Sequence, residues 1–116
     1  MKFVYFIKPV GMLGPIKIGC TGATYKRKAA LQAMSPFRLE VVAELCGGRM
    51  VEKQFHDLFS DSRSHGEWFH WSKPLQKVID DIRAGLFDFG ALPPIRANSF
   101  SDEWDAREYP AAFMAA

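Results

Sequence analysis

Two β-rich runs flank a loop in which Gly and Pro recur, and this pairing commits the start of the chain to a β-hairpin before any other element is considered. From Lys2 to Ile7 the run KFVYFI is β-branched and aromatic, the composition of a buried strand, and Lys8-Pro9-Val10-Gly11 supplies turn chemistry after it. Pro15-Ile16-Lys17-Ile18-Gly19-Cys20 follows Gly14 and alternates apolar with polar residues.

Helical periodicity then takes over. Thr21 or Thr24 can cap a helix running to about Met34, with Arg27, Leu31 and Met34 on one face, and Ser35-Pro36 stops it. Arg38 to Leu45 reads as a third strand closed by Gly47-Gly48, although its apolar residues would also suit a helix. Val51, Phe55, Leu58 and Phe59 fall at i, i+4, i+7 and i+8, which predicts a second helix over about Arg49 to Phe59. Ser72 caps a third helix with Pro74 in its first turn. Leu75, Val78, Ile79, Ile82 and Leu86 form its buried face, and Gly85 marks its end. The order is β-β-α-β-α-α, an α+β chain.

At 116 residues with 48% hydrophobic positions, the sequence supports one packed core. Residues 1–90 are expected to form it. Residues 91–116, with Pro93-Pro94 followed by a stretch of Ser and Asn and then an acidic segment holding Trp104, Tyr109 and Phe113, read as an extended tail. The net charge of +2 is unevenly spread: Lys17, Lys26, Arg27 and Lys28 fall early, whereas Asp102, Glu103, Asp105 and Glu108 crowd the tail. Without that tail the core is distinctly cationic, which suits an anionic partner. Met1 to Lys8 is too short for a signal-peptide core or a membrane span, so a cytoplasmic protein with no membrane partner is expected. In the reducing cytosol Cys20 and Cys46 should be free thiols. Cys20, Cys46, His56, His65 and His70 show no zinc-type ligand spacing.

Val4-Tyr5-Phe6 and Lys17-Ile18-Gly19, set in a hairpin, resemble the two half-motifs of the GIY-YIG nuclease superfamily. Arg27 followed by Leu31-Gln32, Glu52 followed by Phe55-His56 and Phe59, and then Gly66-Glu67-Trp68-Phe69 are similar to the branch typified by the phage T5 open-reading-frame-172 domain. The resemblance runs from about residue 3 to residue 82. It implies a three-stranded antiparallel sheet flanked by about three helices, and a metal-dependent endonuclease that hydrolyses phosphodiester bonds in DNA. It also implies one Mg²⁺ or Mn²⁺ ion with Glu52 as its only protein ligand, Tyr5 as the first-motif tyrosine and Arg27 as the helix arginine. Cutting both strands would need a homodimer or two successive nicks.

The residue chemistry agrees. A hard divalent cation keeps several waters and accepts one carboxylate plus substrate phosphate. Arg27 offers planar, permanently charged donors that suit a phosphate and its transition state. Tyr5 is a candidate general base or water-orienting group if its phenol is depressed by the metal or by nearby cations. His56, one helical turn from Glu52, is a candidate proton shuttle or phosphate contact.

The sequence departs from the superfamily in carrying Lys17 where many members have tyrosine, which supplies a phosphate contact or pKa modulator in place of a proton-transfer group. Lys28 stands where an apolar residue is expected, and it either weakens helix packing or adds a DNA contact. Without the pattern as a whole, Tyr5 reads as a core tyrosine, Glu52 and Arg27 as solvated charges, and His56 as a packed imidazole. Glu67 reads mainly as a structural partner for a basic residue such as Arg27 or Arg63, with Trp68 and Phe69 anchoring its loop. Two other functions are to be separated from the nuclease: a non-catalytic module of the same fold that binds nucleic acid or protein, and a thiol enzyme using Cys20 and His56.

Overall fold

A computed structural model describes residues 1–94, and most of the expected tail lies outside the described residues. The hairpin forms as β1 (Phe3–Pro9) and β2 (Ile16–Thr21), followed by α1 (Thr24–Met34), β3 (Leu39–Cys46) and α2 (Arg49–Leu58). Two short strands, β4 (Arg63–His65) and β5 (Trp68–Phe69), precede α3 (Lys73–Ala84).

The expectation of a three-stranded sheet is overturned. All strand pairs are antiparallel, and the sheet has five strands in the order β3-β1-β2-β5-β4. The two additional strands are too short to show a period of two, so the segment gives no strand signal of its own. They turn on Gly66, whose φ of 55° lies in the left-handed region open to glycine, and they dock by pairing Ile16 with Phe69 and Lys17 with Trp68. The chain remains α+β, with three helices among the described residues.

Strand alternation splits the core in two. Val4, Phe6, Ile16 and Ile18 face α2 and α3, where Phe55, Phe59, Leu75 and Ile79 close the larger cluster. Tyr5 and Ile7 point to the other face and pack with Leu31 of α1 and Leu39 of β3. Met34 ends α1 but stays exposed, and Leu86, beyond the left-handed cap at Gly85, is exposed as well. No helix among the described residues is long and apolar enough to cross a membrane.

Candidate active site

The candidate site gathers at the outer edge of β2. Strand β5 covers only Ile16 and Lys17, so the backbone of the next residue, Ile18, takes other partners. Its N–H donates to the backbone carbonyl of Glu67 (3.0 Å), and its C=O accepts from Nε2 of His56 (2.8 Å). One residue, Ile18, thus positions residues from two separate segments.

Tyr5 lies opposite Gly19 in the β1–β2 register, on the face covered by α1. A Cβ at Gly19 would collide with the Tyr5 ring and hydroxyl, so glycine is what allows the phenol to lie across β2. Arg27, projecting from α1 onto the same face, is 6% exposed. Tyr5 Oη and Arg27 Nε are both buried without a hydrogen-bond partner. The guanidinium beside the phenol favours the phenolate. Burial prevails, with Glu67 and Glu52 adding to it, and pushes the Tyr5 hydroxyl well above its ordinary value. In this fold Tyr5 is a neutral phenol, and the Arg27 guanidinium alone does not bring about the depression that a general base requires.

From the other side, α2 supplies Glu52 and His56 one turn apart. Glu52 is fully buried, and its carboxyl is raised well above the usual range, first by burial and then by Glu67 beside it, with Arg49 and Lys17 opposing. His56 packs its ring edge-on against Phe69, with centroids 5.0 Å apart. Burial pushes its imidazole down to about 3, so the ring is neutral.

Glu67 has a larger part in the cluster than a loop-anchoring residue. It is 3% exposed and pairs through Oε1 with Lys17 Nζ at 2.8 Å, while Arg63, one of the partners proposed for it, donates from Nε to the Gly66 carbonyl. The Lys17 ammonium also lies 5.6 Å from the Trp68 ring centre, a cation–π distance. The signal for Glu67 lay in the motif Gly66-Glu67-Trp68-Phe69 itself. A carboxylate between a turn glycine and two aromatics invites a loop-anchoring reading, and nothing local shows that the loop ends against α2.

Tyr5, Lys17, Arg27, Glu52 and Glu67 therefore influence one another electrostatically. His56 meets them through Ile18 and through Glu52 and Glu67, since ligand atoms of Glu52, His56 and Glu67 lie within 4.8 Å of one another. The donor set fits a divalent cation. Glu52 and Glu67 bury two carboxyl groups side by side, where either one keeps its proton or positive charge is added to that of Lys17 and Arg49.

Other features stay apart from this cluster. His65 and His70 are exposed. Both described cysteines are free thiols, and burial followed by the Glu52 charge pushes the Cys20 thiol upward, against use as a nucleophile. A groove of about 810 Å³ between α1 and β3 is walled by Thr24, Tyr25, Lys28, Leu39 and Val41 among others, and none of the cluster residues lines it. The T5orf172 domain model matches residues 2–86 of the chain. Comparison with curated proteins and with solved structures gave no match.

Proposed function

Because the chain belongs to the T5orf172 domain family, a domain associated with GIY-YIG-like nuclease-type domains, we propose that it is a metal-dependent endonuclease hydrolysing phosphodiester bonds in DNA. The observation that carries this reading is the buried juxtaposition of Glu52 and Glu67 with Lys17, and of Arg27 with Tyr5, around one strand edge. Burying this many polar groups is unfavourable for folding and calls for a chemical reason.

Glu52, with the carboxylate and imidazole beside it, would hold the ion. When bound, a divalent ion such as Mg²⁺ or Mn²⁺ supplies Lewis-acid stabilisation of the phosphate and makes a water more acidic. Arg27 grips non-bridging phosphate oxygens through its planar donors and offsets the charge that grows on them. Tyr5, held as a neutral phenol over Gly19, donates its hydroxyl proton to a phosphate oxygen or orients water. Lys17 balances Glu67 and adds positive charge next to the substrate. Because the Nε2 proton of His56 is committed to the Ile18 carbonyl, His56 positions rather than shuttles.

A second reading, a DNA-binding module without turnover, draws on the full burial of Tyr5 and Glu52 in this fold. Plasmid DNA incubated with Mg²⁺ or Mn²⁺ separates the two. The nuclease reading expects nicking by wild type and by Cys20→Ala but none by Glu52→Ala. Equal trace cutting by all three, with DNA still bound, would leave the binder.

A further inference from the structure

The resemblance to known nucleases implies an ion held by one protein side chain, and the cluster here is larger. Glu52, His56 and Glu67 are 0%, 3% and 3% exposed, and their ligand atoms lie within 4.8 Å of one another. Three independent features bring them together. Helix α2 stacks Glu52 and His56 one turn apart on one flank. The Ile18 carbonyl accepts from His56 Nε2 at 2.8 Å, and the Ile18 N–H donates to the Glu67 carbonyl at 3.0 Å.

The His56 bond has a further consequence. A carbonyl only accepts, so Nε2 carries the ring proton, and in a neutral imidazole the lone pair is then on Nδ1. Metal-binding histidines ordinarily donate the other ring N–H to a backbone carbonyl or carboxylate in this way, which fixes the tautomer before the ion arrives. Glu67 is prepared comparably: Oε1 is occupied by Lys17, and the group set against the rest of the buried carboxylate is the Glu52 carboxyl. Two carboxyl groups buried side by side need a retained proton or a cation between them, and a bound dication takes the place of that proton.

We propose that Glu52, His56 and Glu67 together hold a single first-row transition dication, Mn²⁺ or a later member of the series, in preference to Mg²⁺, with Glu67 shared between the ion and Lys17. Mg²⁺ takes hard oxygen ligands and keeps its waters, whereas the first-row ions accept imidazole nitrogen alongside carboxylates. Glu67 is thereby a metal ligand, beyond the loop-anchoring role its motif suggests. For the use made of the ion, the inference rests on the nuclease reading; the binding itself does not depend on turnover.

The full chain, stripped with chelator and free of DNA, is titrated with MnCl₂ and separately with MgCl₂, following the electron-paramagnetic signal of free Mn²⁺ and the melting temperature. The expected result is Mn²⁺ binding at least about tenfold tighter than Mg²⁺. Glu67→Gln should weaken Mn²⁺ binding by about ten- to a hundredfold and abolish the Mn²⁺-dependent rise in melting temperature. Equal affinity for the two ions, or Glu67→Gln binding Mn²⁺ as wild type does, overturns the proposal; should Glu67→Gln not fold, the wild-type ratio decides. Cutting with unchanged Mn²⁺ affinity in Glu67→Gln sinks this inference and spares the nuclease. Selective Mn²⁺ binding that Glu67→Gln loses, without any cutting, does the reverse.

Discussion

Helices α2 and α3 lie on the same face of the sheet and do opposite work. Helix α3 follows local rules throughout: the Ser72 side chain accepts from the Leu75 N–H, Pro74 sits in the first turn, Gly85 closes the helix at φ 73°, and Leu75 and Ile79 are buried. Helix α2 starts at Gly48 with no side-chain cap and buries Glu52, Lys53 and His56 beside Phe55. Apolar burial stabilises without demanding partners, whereas each buried ionisable group must be hydrogen bonded, paired or discharged. The contrast teaches that α3 supplies stability and α2 spends it at the β2 edge, the pattern expected where local rules yield to a site.

The largest test of that division is Arg27→Ala. Removing the phosphate clamp should lower plasmid cleavage by about a thousandfold while the melting temperature changes little, because the loss falls on the transition state. Cleavage within a factor of about three of wild type would remove Arg27 from the site. Ile79→Ala is the mirror image. It should cost about 3 kcal/mol in denaturant unfolding and leave cleavage per folded molecule unchanged. A large loss of cleavage in the folded fraction would show that α3 is not merely structural.

A smaller effect is expected from pH, measured with chelator present. His56 is held near 3 in the fold, below an unfolded value of about 6.5, so its contribution is full above that value and falls as pH drops towards 3, by up to about 1.4 kcal/mol per pH unit. Glu52 runs the other way: its folded value is raised, so its contribution is full below about 4.3 and is lost as pH rises through the folded value. His56→Gln should flatten the acid-side decline, and coincident slopes would exclude a buried neutral imidazole. Smallest of all, Ser72→Ala should cost about 1 kcal/mol through the lost cap on α3, with cutting untouched.

The same two helices show what was legible in the sequence. Helix α3 was readable almost residue by residue because capping and periodicity act locally, and only Leu86 was misplaced, lying past the chain reversal at Gly85. The hairpin of β1 and β2 was readable for the same reason. Strands β4 and β5 were not, since residues 63–65 and 68–69 are strands only by virtue of the neighbour they pair with. Motif spacing picked out Glu52, Arg27, Tyr5, Lys17 and His56 as candidates. The pairing of Lys17 with Glu67, the backbone N–H and C=O of Ile18 that join Glu67 and His56, and the neutral state of Tyr5 all depend on tertiary contact, and no local pattern encodes them.

The central claim is that the polar face of α2 exists for chemistry rather than for folding, and Glu52→Gln tests it most directly. The amide keeps the shape and can donate to the Glu67 carboxylate without having to retain a proton against its usual pKa. Melting temperature and Mn²⁺-supported plasmid cleavage are measured on the same preparation. The expected result is a melting temperature equal to or above wild type with cleavage reduced at least about a thousandfold. Cleavage kept at wild-type level, or lost only in step with unfolding, would contradict it.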